Sequence, residues 1–377
     1  MSEEHQRLVE RFVRLCETAS PTGGERAVAD AVQGELRELG VEVSEDDAAA
    51  PARAGAGNLI ARVPGRGERW LMLCAHLDTV PHAAPIEVIE EDGVFRSAGE
   101  TILGADNKAA VSVLVELAAR HLALPPPVGL ELVFSVAEED GLRGAKELDL
   151  SALRSQVGIV IDHASPIGEV LVAGPTYKKL VAVFRGREAH AGINPEDGNS
   201  AIAAAAAAVA GMELGRLDEE TTANVGVIEG GTASNVVPGS CRIEGEARGI
   251  DGERAAAMVG AMVDACTWAA GEHDCDVDVE VSEVFRGYRL GGDHPAVRIA
   301  SEAIRRAGHE PRLHATGGGS DANALLAAGF ECVLVANGTE ANHTPRERVS
   351  RKALVQMLDV CEQLLSVAAA ESHVEAA

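Results

Sequence analysis

Short apolar runs that alternate with helical segments constrain this chain more than any other feature of its sequence. Residues 70–75 (WLMLCA) are apolar throughout, as expected for a strand that is buried on both faces. Comparable runs occupy 128–136, 157–161 and 331–336. Between these runs, the spacing of apolar residues predicts helices over 108–122, 295–307 and 321–328. The alternation predicts an α/β fold, in which helices cover both faces of a mostly parallel sheet.

The middle of the chain has a different order of elements. The pattern predicts a strand, a helix, two strands, a helix and a strand over 179–184, 200–212, 224–229, 240–247, 252–270 and 276–285. This β-α-β-β-α-β order is that of a ferredoxin-like α+β domain. We therefore predict that residues 175–287 form a small domain, inserted into a larger domain made of residues 1–174 and 288–377.

Charge and cysteine content exclude some partners and favour one compartment. Acidic side chains outnumber basic ones by 59 to 33, and no basic stripe offsets the net charge of −26. Such a surface repels nucleic acid and anionic membranes, so we expect neither as a partner. The seven cysteines are an odd, scattered set without a Cys-x-x-Cys pair, which favours a reducing compartment. Since the N-terminus lacks the apolar core of a signal peptide, the predicted location is the cytoplasm.

Acidic and imidazole side chains follow the predicted strands, at the sheet edge where open α/β sheets bind ligands. The residues expected just beyond the end of a strand are His76, Glu138, Glu139, Asp162 and His343. Asp106 lies at the start of the next helix. Adjacent carboxylates that face a crevice destabilise a fold unless a cation compensates them. The sequence therefore predicts a metal site at this edge.

The charges of these side chains fit two metal ions better than one. Asp106, Glu139 and Asp162 supply three negative charges, and neutral His76 and His343 complete the ligand set. Two divalent ions would leave a small positive charge, which an ionised Glu138 and a bridging hydroxide would offset. Nitrogen and oxygen ligands suit zinc and also admit cobalt or manganese. Two metal ions about 3.5–4 Å apart lower the pKa of a bridging water and polarise a carbonyl group, so hydrolysis is the expected chemistry.

A His-x-Asp pair, His76 and Asp78, begins this set of residues. Side chains at positions i and i+2 point to the same side of an extended chain. A metal-bound imidazole usually donates its second N–H group to a carboxylate, which fixes the orientation of the ring. We predict that Asp78 orients His76 in this way.

The segments that carry these residues resemble the metallopeptidase family of peptidase T. That family also includes carboxypeptidase G-type enzymes, aminoacylases and succinyl-diaminopimelate desuccinylase. The matching segments are 73–81 (LCAHLDTVP), 104–108 (GADNK), 137–141 (AEEDG) and the later His343. Residues 215–224 and 230–235 resemble the peptidase T-like branch. The similarity covers nearly the whole chain and implies a di-zinc exopeptidase, such as an aminopeptidase, whose inserted domain is a lid or dimerisation domain.

The resemblance implies a role for each predicted ligand. His76 and Asp162 would hold one ion, and Glu139 and His343 would hold the other. Asp106 would bridge the two ions, and the peptide bond after Asp106 would be cis.

The resemblance also makes Glu138 the general base. Such a residue takes a proton from the attacking water and returns it to the leaving amine, so it must lie within hydrogen-bond reach of that water. A residue directly before a ligand is well placed for this role.

In the inserted domain, the resemblance implies residues that contact the substrate. His190 matches a lid histidine that stabilises the oxyanion and, in dimeric relatives, completes the site of the partner subunit. Asn235 and Arg248 match substrate positions, and the planar fork of an arginine suits a terminal carboxylate. Gly318 and Gly319 belong to a predicted substrate loop that differs from the Gly-Thr-Asp form of true tripeptidases. A homodimer through the lid is the protein partner that this reading predicts.

Two alternatives stay open beside the hydrolysis of small peptides. An N-acyl amino acid deacylase would use the same metal ions and base. A binding protein on an inactive hydrolase fold would be expected to lack ligands or the base, but none of the matched positions is missing.

Overall fold

The computed structural model describes residues 3–82 and 84–371, and its contacts separate the chain into two units. The large unit comprises the described residues up to Val172, then Leu290–Ala315 and the residues from Ser320 onward. The small unit comprises Ala173–Arg289 and Thr316–Gly319. The predicted insertion, by comparison, begins at residue 175 and ends at 287. The outermost residues assigned to the large domain, 1–2 and 372–377, lie outside the described residues.

The secondary structure of the described residues follows the predicted alternation. In chain order the helices are α1 (Glu3–Glu17), α2 (Arg26–Glu38), α3 (Ala105–Ala123), α4 (Arg143–Glu147), α5 (Ala201–Gly211), α6 (Gly252–Glu272), α7 (Pro295–Arg306), α8 (Asp321–Ala327) and α9 (Arg351–Ala370). Short 3₁₀ turns occupy Leu150–Ala152 and Pro195–Asp197.

The strands lie between these helices and follow them. In chain order the strands are β1 (Glu42–Glu45), β2 (Leu59–Val63), β3 (Trp70–His76), β4 (Val88–Glu91), β5 (Val94–Ser97), β6 (Gly129–Ser135), β7 (Val157–His163), β8 (Glu169–Gly174), β9 (Thr176–Arg185), β10 (Ala189–His190), β11 (Gly215–Arg216), β12 (Thr221–Gly230), β13 (Val236–Val237), β14 (Ser240–Gly249), β15 (Asp276–Phe285), β16 (Tyr288–Arg289), β17 (Arg312–Ala315), β18 (Glu331–Ala336), β19 (Thr339–Glu340) and β20 (Arg348–Ser350).

The central sheet of the large unit has the strand order β1-β2-β6-β3-β7-β18-β8. Its four middle strands, β6, β3, β7 and β18, run parallel, whereas the outer pairings are antiparallel. Leu71 and Leu73 of β3 share a core cluster with α1, α3, α7 and α9. Met72 and Cys74, on the opposite face of β3, are equally buried. Burial on both faces explains why the middle strands are apolar without an alternation of polar residues, apart from the buried Glu131 and Ser135 of β6.

Helix α9 is long and apolar enough, by length and composition, to cross a membrane. Half of its most apolar stretch is buried within the large unit, where the helix packs against α3 and α7. Leu354, Leu358 and Leu365 recur at helical spacing on this buried face and belong to the same core cluster as α3. The apolar character of α9 is therefore that of a core helix.

A second sheet of the large unit has the strand order β19-β20-β5-β4 and is antiparallel throughout. Its first two strands are joined by residues 341–347. Strand β20 leads directly into helix α9, whose N-cap is Ser350. The segment that connects β18 to α9 therefore forms two strands of this second sheet.

The small unit is built around the antiparallel sheet β11-β12-β14-β9-β15. Strands and helices follow in the predicted order β9, α5, β12, β14, α6 and β15, and the strand pairing is that of a ferredoxin-like domain. Helix α5 begins after Ser200, whose hydroxyl accepts the N–H of Ala203 at 3.2 Å. Buried alanines let α5 lie close to the sheet and to α6: Ala201, Ala204, Ala205 and Ala208.

The start of helix α2 does not use the capping pattern that its own residues offer. Residues 22–25 (TGGE) favour a capping box, but neither side chain caps the described helix. Glu25 instead accepts the N–H groups of Gly23 at 2.8 Å and Gly55 at 2.6 Å. The Thr22 hydroxyl donates to Asp78 at 2.8 Å. Gly55 and Asp78, both distant in sequence, thus bind the two side chains that the local pattern assigns to a cap.

Candidate metal centre

The five predicted ligands lie together at the carboxyl edge of the central sheet. His76 ends β3 and Asp162 is the next-to-last residue of β7, and His76 Nε2 lies 3.2 Å from Asp162 Oδ1. Asp106 lies between the two histidines, with Oδ1 3.4 Å from His76 Nε2 and Oδ2 3.2 Å from His343 Nε2. Glu139 Oε1 lies 3.0 Å from His343 Nε2. The polar atoms of the five side chains thus form one continuous cluster.

Two groups within this cluster have the dimensions of a metal site. The ligand atoms of His76, Asp106 and Asp162 all lie within 4.8 Å of one another, and so do those of Asp106, Glu139 and His343. Asp106 belongs to both groups. This geometry provides two positions for a cation that share one carboxylate.

The position of His343 differs from the prediction. It does not lie just beyond β18, but in the segment between β19 and β20 of the second sheet. Its backbone is left-handed, with φ of 63°, and its side chain is half exposed. The sequence pattern locates the end of β18 but not this turn, because the two short strands on either side of it are not apolar runs.

Two carboxylate oxygens of the cluster lack hydrogen bonds. Asp106 Oδ1 and Glu139 Oε1 are buried and accept no hydrogen bond from any described residue, although imidazole nitrogens lie 3.4 Å and 3.0 Å away. A buried polar atom without a partner destabilises a fold, and native proteins rarely leave one so. A cation would satisfy both oxygens. The donor set of two imidazoles and three carboxylates fits a divalent ion.

The pKa values of the side chains in this cluster also favour a bound cation. Burial raises the pKa of Asp162 to about 8. Burial, with the Asp162 carboxylate nearby, raises the pKa of Glu138 well above its usual range. The Asp106 and Glu139 carboxylates raise the pKa of His343 to about 10. For Asp106, burial opposes ionisation, but His343 and His76 outweigh it and hold its pKa below the usual range. Such a cluster binds protons, which a divalent cation would displace.

Asp78 contacts His76, as predicted, and also other residues of the site. The nearest acceptor to His76 Nδ1 is the carbonyl oxygen of Asp78, at 3.0 Å, and the Asp78 carboxylate lies 3.5 Å away. That carboxylate accepts the N–H groups of Glu138 at 3.0 Å and Glu139 at 3.2 Å. It also accepts the hydroxyl of Thr22. Asp78 therefore holds the loop of the predicted base and ligand in place beside His76.

The sequence motif around Asp106 did not predict roles for the side chains of Asn107 and Lys108. The peptide bond between Asp106 and Asn107 is cis, as the resemblance implied. The Asn107 side chain donates to Asp162 Oδ1 at 3.0 Å and to the carbonyl of Ile161 at 2.7 Å. Lys108 is buried, although its charge would normally keep it at the surface. The run of three polar residues, 106–108, at the start of a mostly apolar helix is the sequence signal that could have indicated these roles.

In the small unit, His190 and Asn235 lie next to each other. Strands β10 and β13 pair so that His190 is opposite Val236, and the Asn235 carbonyl accepts the N–H of Ala191 at 2.9 Å. Both side chains are exposed. Two predicted substrate residues that are far apart in the sequence thus lie together, His190 in a short two-stranded sheet and Asn235 directly before its second strand.

Arg248 has partners within the small unit. Its guanidinium lies over the ring of Tyr177, 4.4 Å from the centroid, and two of its nitrogens lie 3.1 Å from the Glu246 carboxylate. It also contacts the carbonyl of Gly317 at 3.5 Å. The charge of Arg248 is balanced by Glu246, so a substrate carboxylate would have to compete with that residue.

The predicted glycine loop has a structural explanation of its own. The Gly318 N–H donates to the Thr316 hydroxyl at 3.1 Å. At Gly319, a Cβ atom would lie 2.2 Å from the ring of Phe285. Close packing on this ring therefore accounts for glycine at position 319 independently of any substrate.

Two imidazoles and three carboxylates at the crevice of a parallel sheet define a metal-dependent hydrolase. Comparison with known proteins narrows the class, because the sequence profile of the peptidase family M20/M25/M40 matches residues 72–367. The chain belongs to this family of metal-dependent peptidases.

Similar proteins support the assignment over nearly the whole length of the chain. The crystal structure of aminopeptidase PepT from Bacillus cereus is 38% identical with a TM-score of 0.84, and covers 97% of this chain and 99% of that one. A tripeptidase from Staphylococcus aureus is 34% identical with a TM-score of 0.90 and the same coverage. The YqjE protein of Bacillus subtilis is 36% identical over 372 residues, 97% of this chain and 99% of the relative. The predicted family, fold class and metal-dependent peptide hydrolysis are thereby confirmed.

Proposed function

We propose that the protein is a peptidase T-like exopeptidase that cleaves small peptides with two divalent metal ions, of which zinc is favoured. The observation that carries this proposal is the pair of ligand groups that share Asp106 and contain two buried oxygens without hydrogen bonds. The similarity to an aminopeptidase and a tripeptidase supports small peptides as the substrates.

Each ion would be held by side chains from different parts of the large unit. His76 and Asp162 would hold one ion, Glu139 and His343 the other, and Asp106 would bridge both. Bound in this way, the ions would polarise the scissile carbonyl and lower the pKa of water.

Glu138 would transfer the proton of the reaction. Its side chain is buried beside His76 and Glu139, with ligand-type atoms of the three within 4.8 Å of one another. A carboxylate whose pKa is raised by burial can take a proton from the attacking water and return it to the leaving amine. The Asp78 carboxylate holds the Glu138 backbone and so fixes where this proton is exchanged.

A substrate screen tests the proposal. Protein loaded with zinc, cobalt or manganese would be incubated with di- and tripeptides and with N-acyl amino acids, and the released amine would be measured. We expect hydrolysis of peptides that chelation abolishes and metal addition restores, and at least about a hundredfold slower hydrolysis by a Glu138→Gln control. Hydrolysis of N-acyl amino acids alone would replace the peptidase by a deacylase. A fully metal-loaded protein that cleaves neither class would contradict the proposal.

We further propose that the small unit is a lid, that His190 acts on the oxyanion and that Asn235 and Arg248 contact the substrate. These roles stay predictions, as do the homodimer and the cytoplasmic location. The exposed side chains of His190 and Asn235 are consistent with contact to a ligand.

A further inference from the structure

Glu347 is a buried carboxylate that interacts with the turn before Asp106. It lies four residues after His343, at the end of the segment that joins β19 to β20, and is 1% exposed. Glu347 Oε2 accepts the N–H groups of Leu103 at 2.8 Å and Gly104 at 2.9 Å. Glu347 Oε1 accepts the N–H of Asp106 at 2.9 Å. One carboxylate therefore satisfies three backbone donors of a single turn.

These contacts join two parts of the metal centre. The turn at Gly104 has a left-handed backbone, with φ of 72°, and ends in Asp106. On the other side, the N–H of Glu347 donates to the carbonyl of Thr344 at 3.0 Å, which ties the carboxylate to the residue that follows His343. Charge-assisted hydrogen bonds to backbone donors are strong and directional. The position of Asp106 relative to His343 thus depends on Glu347.

We propose that Glu347 is a positioning residue of the metal centre, which sets the distance between the Asp106 and His343 ligands. This inference rests on the proposed function, since it takes both residues to be ligands of one ion. Residues that hold metal ligands in place affect metal affinity although they do not touch the metal.

A purely structural role is the alternative, and the chain contains a matched control for it. Glu131 is also fully buried, and its carboxylate accepts Arg62 Nε at 2.8 Å and the N–H groups of Arg154 and Ser155 at 3.0 Å. Arg154 and Ser155 directly precede β7 and so lie at the opposite end of that strand from Asp162. Replacing Glu131 therefore tests the loss of a buried carboxylate that accepts backbone N–H groups but is remote from the predicted ligands.

The experiment compares the wild type, Glu347→Gln and Glu131→Gln as full-length proteins. The amide of glutamine offers one acceptor oxygen and one donor nitrogen, so it cannot accept from both sides of the turn. Zinc affinity would be measured by competition with a chromophoric chelator, zinc per chain by mass spectrometry, and the melting temperature with and without zinc. We expect both variants to melt lower in the metal-free state. Only Glu347→Gln should bind zinc more weakly, by about 10–100-fold.

The outcomes separate this inference from the proposed function. A wild type that binds no zinc, cobalt or manganese would overturn both. A wild type that binds metal, with Glu347→Gln of equal affinity, would overturn the positioning role alone. An equal loss of affinity in Glu131→Gln would also overturn it, because the effect would then follow general destabilisation. If Glu347→Gln does not fold, Glu347→Asp keeps the charge but shortens the reach by one methylene, and the same loss of affinity is expected.

Discussion

Buried carboxylates at two places in the large unit have opposite surroundings. Glu116 is fully buried in helix α3 and bonds to two arginines, Arg7 at 2.6 Å and Arg11 at 2.7 Å. At the carboxyl edge of the sheet, Asp106 and Glu139 each have a buried oxygen that accepts no hydrogen bond from a described residue. Both oxygens of Glu116 are thus compensated by arginine, whereas the two oxygens at the sheet edge have no hydrogen-bond donor among the described residues. A bound metal cation would compensate these two oxygens.

The largest expected effect separates two neighbouring acids of the site. Glu138→Gln should lower turnover by about a hundredfold to ten-thousandfold, as for a lost general base, and keep the metal content. Glu139→Gln should lower metal occupancy, because it removes a ligand. Steady-state kinetics and elemental analysis of both variants provide the measurement. If the two variants behaved the other way round, the assignment would be wrong by one residue.

The free energy of unfolding provides a second test of the difference between Glu116 and the acids at the sheet edge. Glu116→Gln removes one of the two carboxylates that pair with the buried Arg11, the other being Glu35, and should lower the free energy of unfolding by about 1–3 kcal/mol. In metal-free protein, Glu139→Gln should cost far less, because burial already disfavours its ionised form. Denaturant unfolding of both variants in the presence of a chelator checks this prediction. An equal loss in the two variants would show that the site acids are as well compensated as Glu116.

Protons should be exchanged for metal at the site. At pH 7 the pKa of His343, about 10, and that of Asp162, about 8, both lie above the pH, so both groups hold protons in metal-free protein. Metal binding must remove these protons and that of His76, whose pKa the neighbouring carboxylates raise in spite of burial, so protons should be released and affinity should rise with pH. Calorimetric titration with zinc in two buffers of different ionisation enthalpy measures the release. A pH-independent affinity without proton release would argue against these residues as ligands.

The smallest effect concerns another partnered acid, Glu362. A hydrogen bond with His121, at 3.0 Å, lowers the pKa of Glu362. Burial disfavours the charged form of His121, but Glu362 and the Leu124 carbonyl raise its pKa overall. The contribution of Glu362 is lost as the pH falls through its lowered pKa, and that of His121 as the pH rises through its raised pKa. The pair therefore stabilises most between about pH 4.5 and 6.5.

Replacement of Glu362 measures this contribution. Glu362→Gln should lower the free energy of unfolding at pH 5.5 by about 1 kcal/mol or less, since the side chain is partly exposed. The loss should shrink at pH 9, where Arg120 alone remains as a charged partner. Urea unfolding at the two pH values checks this. A difference that does not change with pH would exclude the His121 contact as its source.

Local pattern in the sequence was sufficient for the architecture and for naming the side chains that the structure brings together at the predicted metal site. Uninterrupted apolar runs, such as that of β3, predict strands that are buried on both faces, because a period of two is visible only when one face meets water. The order of elements in the small unit follows from periodicity alone. His76 and Asp162 could be placed at the sheet edge because each directly follows a run that the pattern predicts as a strand.

Only the tertiary structure decided what surrounds these residues. His343 reaches Asp106 and Glu139 through a left-handed turn between two short strands, which have no apolar periodicity to reveal them. Thr22 bonds to Asp78 instead of capping its own helix. Glu347 accepts donors more than 240 residues away in the sequence. Hydrogen bonds of this kind depend on where the chain returns in space, so no local spacing of residue types encodes them.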